Sequence, residues 1–271
     1  MLFFYRLIVV FMTIVGGLIL SFMMLGIFFV IRSKQVQGIV QRNVIHYFCK
    51  VAAHGLGLKI DSSEVERFKE CKTKPARLIL ANHISFVDVI VVGSIFKTSF
   101  LAKHDVAQWP IIGVMVRNAG ILFVDRESVH SRVSVLRSLR RNLEFIPVTV
   151  FPEGTTTDLA SPDKSLWKPG NVWAPCQYSS AELNAVSINY QDVKANAWVG
   201  DMDFFSMMMN TMKRKNTKIS VCSKVMPLGD LKALKVRDIS EKVFETITKG
   251  CETSPSFVFN KSSQKLTPNL T

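Results

Sequence analysis

The sequence predicts an α/β fold, a mixed sheet flanked by helices, with an N-terminal membrane helix or helix pair in front of it. Three observations predict this. The run from Leu7 to Ile31 carries no charge and is bounded by Arg6 on one side and by Arg32 and Lys34 on the other. Beyond it, short runs rich in β-branched and aromatic residues alternate with longer segments whose apolar residues recur at helical spacing. Several of the short runs are apolar throughout, as strands covered on both faces are.

As one helix the uncharged run would be about 37 Å long, slightly more than a hydrocarbon core of about 30 Å, so it can span with some tilt. Gly16-Gly17 interrupts it near the end of its first third and leaves a second arrangement open, two shorter helices that enter and leave one leaflet. A cleaved signal peptide fits less well, because its apolar region is about 7–15 residues and no small-x-small site follows here. Next, Val36, Ile39, Val40, Val44, Phe48 and Val51 keep a helical repeat while Gln41, Arg42 and Lys50 fall elsewhere. That pattern suits a helix lying along lipid headgroups or an ordinary core helix. Basic residues are denser after the apolar run than before it, which places the downstream domain on the cytoplasmic face.

The strands expected in the rest of the chain are Ala76–Ala81, Ser99–Ala102, Gly120–Val124, Phe145–Phe151, Asn184–Tyr190 and Lys218–Val225. Between them, Val129, Val133, Leu136, Leu139 and Leu143 form one helical stripe, and Ile239, Val243 and Ile247 form another. Residues 159–180 read as a long loop near the site. The resulting organisation is an anchor with an amphipathic helix over 1–58, one α/β domain over 59–250 and a polar tail over 251–271. The segment from Phe204 to Asn216 puts aromatics and methionines beside a basic cluster, as a core helix with a solvated end or a second membrane contact would.

A net charge of +13 favours anionic partners. With membrane phospholipids so close, the charge needs no nucleic acid to explain it. The five cysteines are widely spaced, contain no C-x-x-C pair and read as reduced thiols, and no metal site is expected from their spacing.

Chemistry gathers where strands end. Asn82-His83-Ile84-Ser85-Phe86-Val87-Asp88 follows directly on the strand ARLILA. On one helix, positions five apart point roughly 140° away from each other, so His83 and Asp88 meet only if His83 lies in the loop and Asp88 in the first turn. The pair then reads as a general base held in one tautomer by a carboxylate. Ser85-x-x-Asp88 is also an ordinary N-capping arrangement, and the sequence leaves both readings standing. Gly120 to Arg126 ends on Asp125-Arg126, and Val148 to Thr155 ends on a Pro-Glu-Gly turn. Taken singly, these would be a surface ion pair and a turn.

Taken together and in order, the three segments resemble the lysophosphatidate (1-acylglycerol-3-phosphate) acyltransferase family of the glycerolipid acyltransferase superfamily. The resemblance runs from about Ile79 to Ile188. N-H-x-x-x-x-D is matched at Asn82, His83 and Asp88, G-x-x-x-x-D-R at Gly120, Asp125 and Arg126, and F-P-E-G-T at Phe151 to Thr155. The resemblance implies His83 as base and Asp88 as its partner, with Arg126, Glu153, Gly154 and Thr155 binding the acyl acceptor and Lys103 placed to meet phosphate. It also implies an N-terminal membrane helix pair. Thr156 stands where the family usually has arginine and Ala185 where proline is usual; Trp198-Val199-Gly200-Asp201 is similar to an element of some bacterial members, including acyltransferases of amino-acid-containing lysolipids. The implied reaction moves an acyl group from acyl-CoA or acyl-carrier protein to a lysophospholipid, lysophosphatidate first and lyso-ornithine lipid as the alternative, with no bound cofactor. A catalytically silent lipid-binding protein is the reading from outside catalysis.

Overall fold

A computed structural model describes residues 1–66, 76–125, 129–172, 176, 181–227, 229 and 234–253 of the chain. Helix α1, Leu2–Val30, is unbroken, so Gly16-Gly17 does not divide it. It is the one helix among the described residues long and apolar enough to cross a membrane, with a mean hydropathy of 2.6. The chain reverses at Ile31–Ser33 and returns as α2, Lys34–Gly55, which packs along α1. The pair is therefore two full-length helices in a hairpin. Gln37 closes the turn by donating to the carbonyls of Phe28 and Ile31.

The hairpin lies on the rest of the protein. Gly17 permits a close approach, since a Cβ there would sit 2.5 Å from Met115 Cε and 2.6 Å from a Phe48 ring carbon. Arg6, which the sequence presents as a flank of the apolar run, is only 5% exposed. Its guanidinium donates to the carbonyls of Met212, Arg214 and Lys215. The other side of α1 faces outward and carries Phe4, Ile8, Phe11, Met12 and Phe22. Helix α2 packs on the core with one face, where Ile45, Cys49, Ala52 and Ala53 are buried, and leaves Tyr47 and Val51 exposed on the other.

Behind the hairpin stands a seven-stranded mixed sheet in the order β1-β7-β6-β2-β5-β3-β4. Its strands are β1 (Leu58–Val65), β2 (Ala76–Ala81), β3 (Ser99–Lys103), β4 (Leu122–Val124), β5 (Val148–Val150), β6 (Ala181–Tyr190) and β7 (Thr217–Pro227). All neighbours are parallel except β6 and β7. The sequence does not announce β1, because only its first residues, Leu58 and Ile60, alternate apolar and polar before a polar stretch at the sheet edge. One face of the sheet packs on α2 and on α3 (Val87–Ile95); the other packs on α5 (Val129–Leu143) and the helix Val236–Thr253. That last helix buries Cys251 completely, so folded structure continues past the start of the expected tail; residues 254–271 lie outside the described residues. Between α3 and α5 sits α4 (Ile112–Asn118), which packs on α1. After β6 come α6 (Val193–Asn196) and α7 (Phe204–Lys213), and Val236–Thr253 is α8. The C-terminal ends of β2, β3, β4 and β5 carry the segments singled out above, the position at which open parallel sheets place ligands.

Candidate active site

At the tip of β2 the chain leaves the sheet through Asn82, which is 1% exposed. Its side chain donates to the carbonyl of Ile188 and accepts from the Ile188 N–H, at 3.0 and 2.8 Å, and so ties the exit of β2 to β6. His83 follows in the loop and Asp88 lies in the first turn of α3, as the geometry required. Their side chains meet, with Nδ1 2.9 Å from Asp88 Oδ2. Part of the capping arrangement is present on the same atoms. Phe86 holds the N-cap position and its side chain makes no cap bond, yet Asp88 Oδ2 accepts from the N–H groups of Ile84 and Ser85, at 2.6 and 2.8 Å, the second being the bond a capping box makes back to its serine. These two N–H groups are thereby committed to Asp88 and not free for a substrate oxygen.

The other carboxylate oxygen of Asp88 accepts from the Tyr190 hydroxyl at 2.6 Å. Burial, and then the charge of Asp88, push the Tyr190 pKa well above its ordinary value, so the phenol remains a proton donor. Asp88 is fully buried and receives donors from every side. A carboxylate only accepts, so Nδ1 is the donor to Asp88, and the neutral ring presents Nε2 as its acceptor. The ring is held from below by Phe151, stacked at 4.1 Å between centroids and 17° between planes. The His83 side chain is 17% exposed and lines a cavity.

The tip of β5 supports this loop. Glu153 is 1% exposed and its two oxygens accept from the backbone N–H groups of His83 and Asp163, both at 2.9 Å. Burial raises its pKa, against the pull of those two N–H groups. The sequence reading put Glu153 against the acceptor; its carboxylate is instead spent on backbone, and it bridges two loops. Gly154 turns with φ 78°, and Gly154, Thr155 and Thr156 border the cavity. Thr156 donates its hydroxyl to the Trp198 carbonyl, and the Trp198 N–H donates to the Ile84 carbonyl at 2.9 Å. The Trp198–Asp201 segment is thus laced to the His83 loop.

The cavity has a volume of about 580 Å³. It runs from His83 beneath α1, between Val10 and Ile14 on one side and Val89, Phe100 and Met115 on another. Its polar border includes Lys103, which forms an ion pair with Asp105, both side chains being about half exposed. The structure therefore brings His83, Gly154, Thr155 and Lys103 to one hollow, with Asp88 buried behind His83. Asp125 is exposed after β4, and Arg126 lies outside the described residues. Tyr190 is the contributor that spacing could not reveal, and for Asn82 spacing gave the place in the motif but not the tie to Ile188, because both partners are a hundred or so residues distant.

With this geometry, the comparisons with known proteins converge. The family model described as Acyltransferase matches residues 60–224, more than half of the chain. A lyso-ornithine lipid O-acyltransferase of Rhizobium meliloti (strain 1021) is 39% identical over 82 residues, 30% of this chain and 28% of that one. Its counterpart in Pseudomonas aeruginosa is 29% identical over 150 residues, 53% of this chain and 56% of that one. A 1-acyl-sn-glycerol-3-phosphate acyltransferase of Neisseria gonorrhoeae is 33% identical over 81 residues, 30% of this chain and 32% of that one. These matches span between 28% and 56% of the relatives' length. The crystal structure of the 1-acyl-sn-glycerophosphate (LPA) acyltransferase PlsC from Thermotoga maritima shares the fold, with a TM-score of 0.63 over 99% of this chain and 97% of that one, at 16% identity. The chain belongs to the acyltransferase family.

Proposed function

We propose that this protein transfers a fatty acyl group from a thioester, acyl-CoA or acyl-carrier protein, to the free hydroxyl of a lysophospholipid at a membrane surface. One observation carries the reading: an imidazole whose Nδ1 is held by a buried carboxylate lies at the end of an apolar cavity large enough for an acyl chain. Nε2 of His83 takes the hydroxyl proton as the lipid oxygen attacks the thioester carbonyl; the C–S bond breaks, and the departing sulfur receives the proton from the imidazolium. The products are an ester and a free thiol. A thioester is already activated, so the step draws on no cofactor. A base within hydrogen-bond reach contributes about 10²–10⁴-fold, and Asp88 stabilises the imidazolium as it forms.

For the membrane, the outward apolar face of α1 and the names of the relatives support association; the denser basic residues after the apolar run favour the cytoplasmic side for the α/β domain. For the acceptor, lysophosphatidate is the first reading. The Lys103–Asp105 ion pair and the engagement of Thr156 by Trp198 favour a second one, a lysolipid with an amino-acid headgroup, in keeping with the names of two relatives. The test is to incubate purified protein with labelled acyl-CoA or acyl-carrier protein and a panel containing lysophosphatidate and lyso-ornithine lipid. Label should appear in one diacyl product, and its headgroup identifies the acceptor. No transfer to any lysolipid would sink the proposal.

A further inference from the structure

A second apolar surface surrounds the mouth of the cavity. Trp109 packs on Trp198 and Phe204 there, with centroids 5.7 and 5.0 Å apart, and all three rings line the cavity. Within a few residues of them stand three large apolar side chains that face outward: Ile111 is 49% exposed, Met202 47% and Phe205 55%. Ile111 is also the one non-glycine residue with positive φ among the described residues, at 62° with ψ −62°. The N–H of Ile112 bonds to the Pro110 carbonyl at 2.6 Å and closes a strained γ-turn around it. A β-branched residue pays conformational energy in that backbone, and glycine would not. The turn therefore holds an apolar side chain outward in a backbone conformation that glycine would adopt more easily.

These residues stand at the starts of two helices that pack against α1. Helix α4 begins beside Ile111 and meets α1 where Met115 approaches Gly17. Helix α7 begins at Phe204, and Arg6 of α1 grips the carbonyls at its other end. Lys213 and Lys215, exposed at that end, match anionic headgroups in sign.

We propose that Ile111, Met202 and Phe205 form a second bilayer contact, separate from the helix hairpin, which seats the cavity mouth in the boundary between headgroups and acyl chains. A lipid acceptor would then pass from the leaflet to His83 without crossing water. The purpose of the contact rests on the acyl-transfer reading; its existence does not.

The test uses full-length protein on vesicles of phosphatidylcholine and phosphatidylglycerol, and compares wild type with Ile111→Asp/Phe205→Asp. Both side chains are exposed, so neither change opens the core. Since α1 and α2 contain no tryptophan, quenching of tryptophan emission by lipids brominated high on their acyl chains reports the α/β domain and not the hairpin. The double variant should stay on the vesicles through α1 yet lose at least about half of the quenching, and its KM for a vesicle-embedded lysophospholipid should rise at least about fivefold. Its KM for a short-chain, water-soluble lysophospholipid should remain within about twofold, since the rim makes no contact with the reacting groups. Ile111→Gly should raise the Tm and still weaken the vesicle-dependent activity. Unchanged quenching, or an equal rise of KM for both acceptors, would overturn the proposal. Should wild type acylate no lysolipid at all, the acyl-transfer reading falls and the quenching alone decides the contact.

Discussion

The tips of β2 and β5 meet at the same loop, and each brings a buried carboxylate to it. Asp88 receives two backbone N–H groups, a phenol and the His83 ring. Glu153 receives two backbone N–H groups, one of them from His83 itself. In residue type and burial the two are nearly alike. They differ in what they hold: Asp88 fixes the tautomer of a group that touches the cavity, whereas Glu153 fixes where that group's backbone stands. The difference shows that a carboxylate in a motif is assigned by the atoms it engages, and that two acids at one site can serve reaction and architecture separately. Measurements that separate turnover from binding, and both from stability, test that division.

The largest effect belongs to the ring. His83→Ala should lower turnover at least about 10²-fold with membrane attachment and fold retained, because the side chain is partly exposed and supports little of the core. Circular dichroism and steady-state kinetics on the same preparation check this, and near-normal transfer by folded variant would refute the assignment. Asp88→Asn should cost roughly ten- to a hundredfold in turnover, the equivalent of about 1.5–3 kcal/mol of charge-assisted hydrogen bonding, and should lower the Tm as well. A loss of stability with turnover intact would return Asp88 to a purely structural role and erase the contrast with Glu153.

Glu153→Gln sharpens the comparison from the other side. Glutamine offers one acceptor oxygen where two N–H groups need one each, so His83 or Asp163 loses its tie. The kcat should fall about tenfold while the KM for the lysolipid stays within about twofold. A raised KM with unchanged kcat would restore the acceptor-binding role that the motif suggests. Arg6→Ala is the control, a buried charge that holds backbone far from the ring. It should lower stability by about 1.5–3 kcal/mol, read as a lower Tm, and leave kcat within about threefold.

The same contrast explains how much was legible in the sequence. His83 and Asp88 are close in sequence, and the period of the helix dictates how they can meet. Strands β2 to β7 show themselves by apolar runs with punctuation between them. Tyr190 is out of reach of such reasoning, because sheet order alone brings β6 beside β2. Glu153 was visible as part of a turn, but not its direction, which follows from the approach of two loops. Arg6 reads as the charged edge of a membrane run; only the fold shows that the end of α7 lies beside it. An uncharged run is equally consistent with one long helix and with two short ones divided at Gly16-Gly17; the fold shows one unbroken helix, whose partner α2 comes from beyond the run.

The central claim is that His83 activates the lipid hydroxyl for direct attack and never carries the acyl group itself. Intact-mass measurement of the purified protein after mixing with acyl-CoA, or with acyl-carrier protein, in the absence of any acceptor tests it most directly. The account predicts an unchanged protein mass and no burst of free thiol. A protein heavier by one acyl group, with the adduct abolished in His83→Ala, would contradict it.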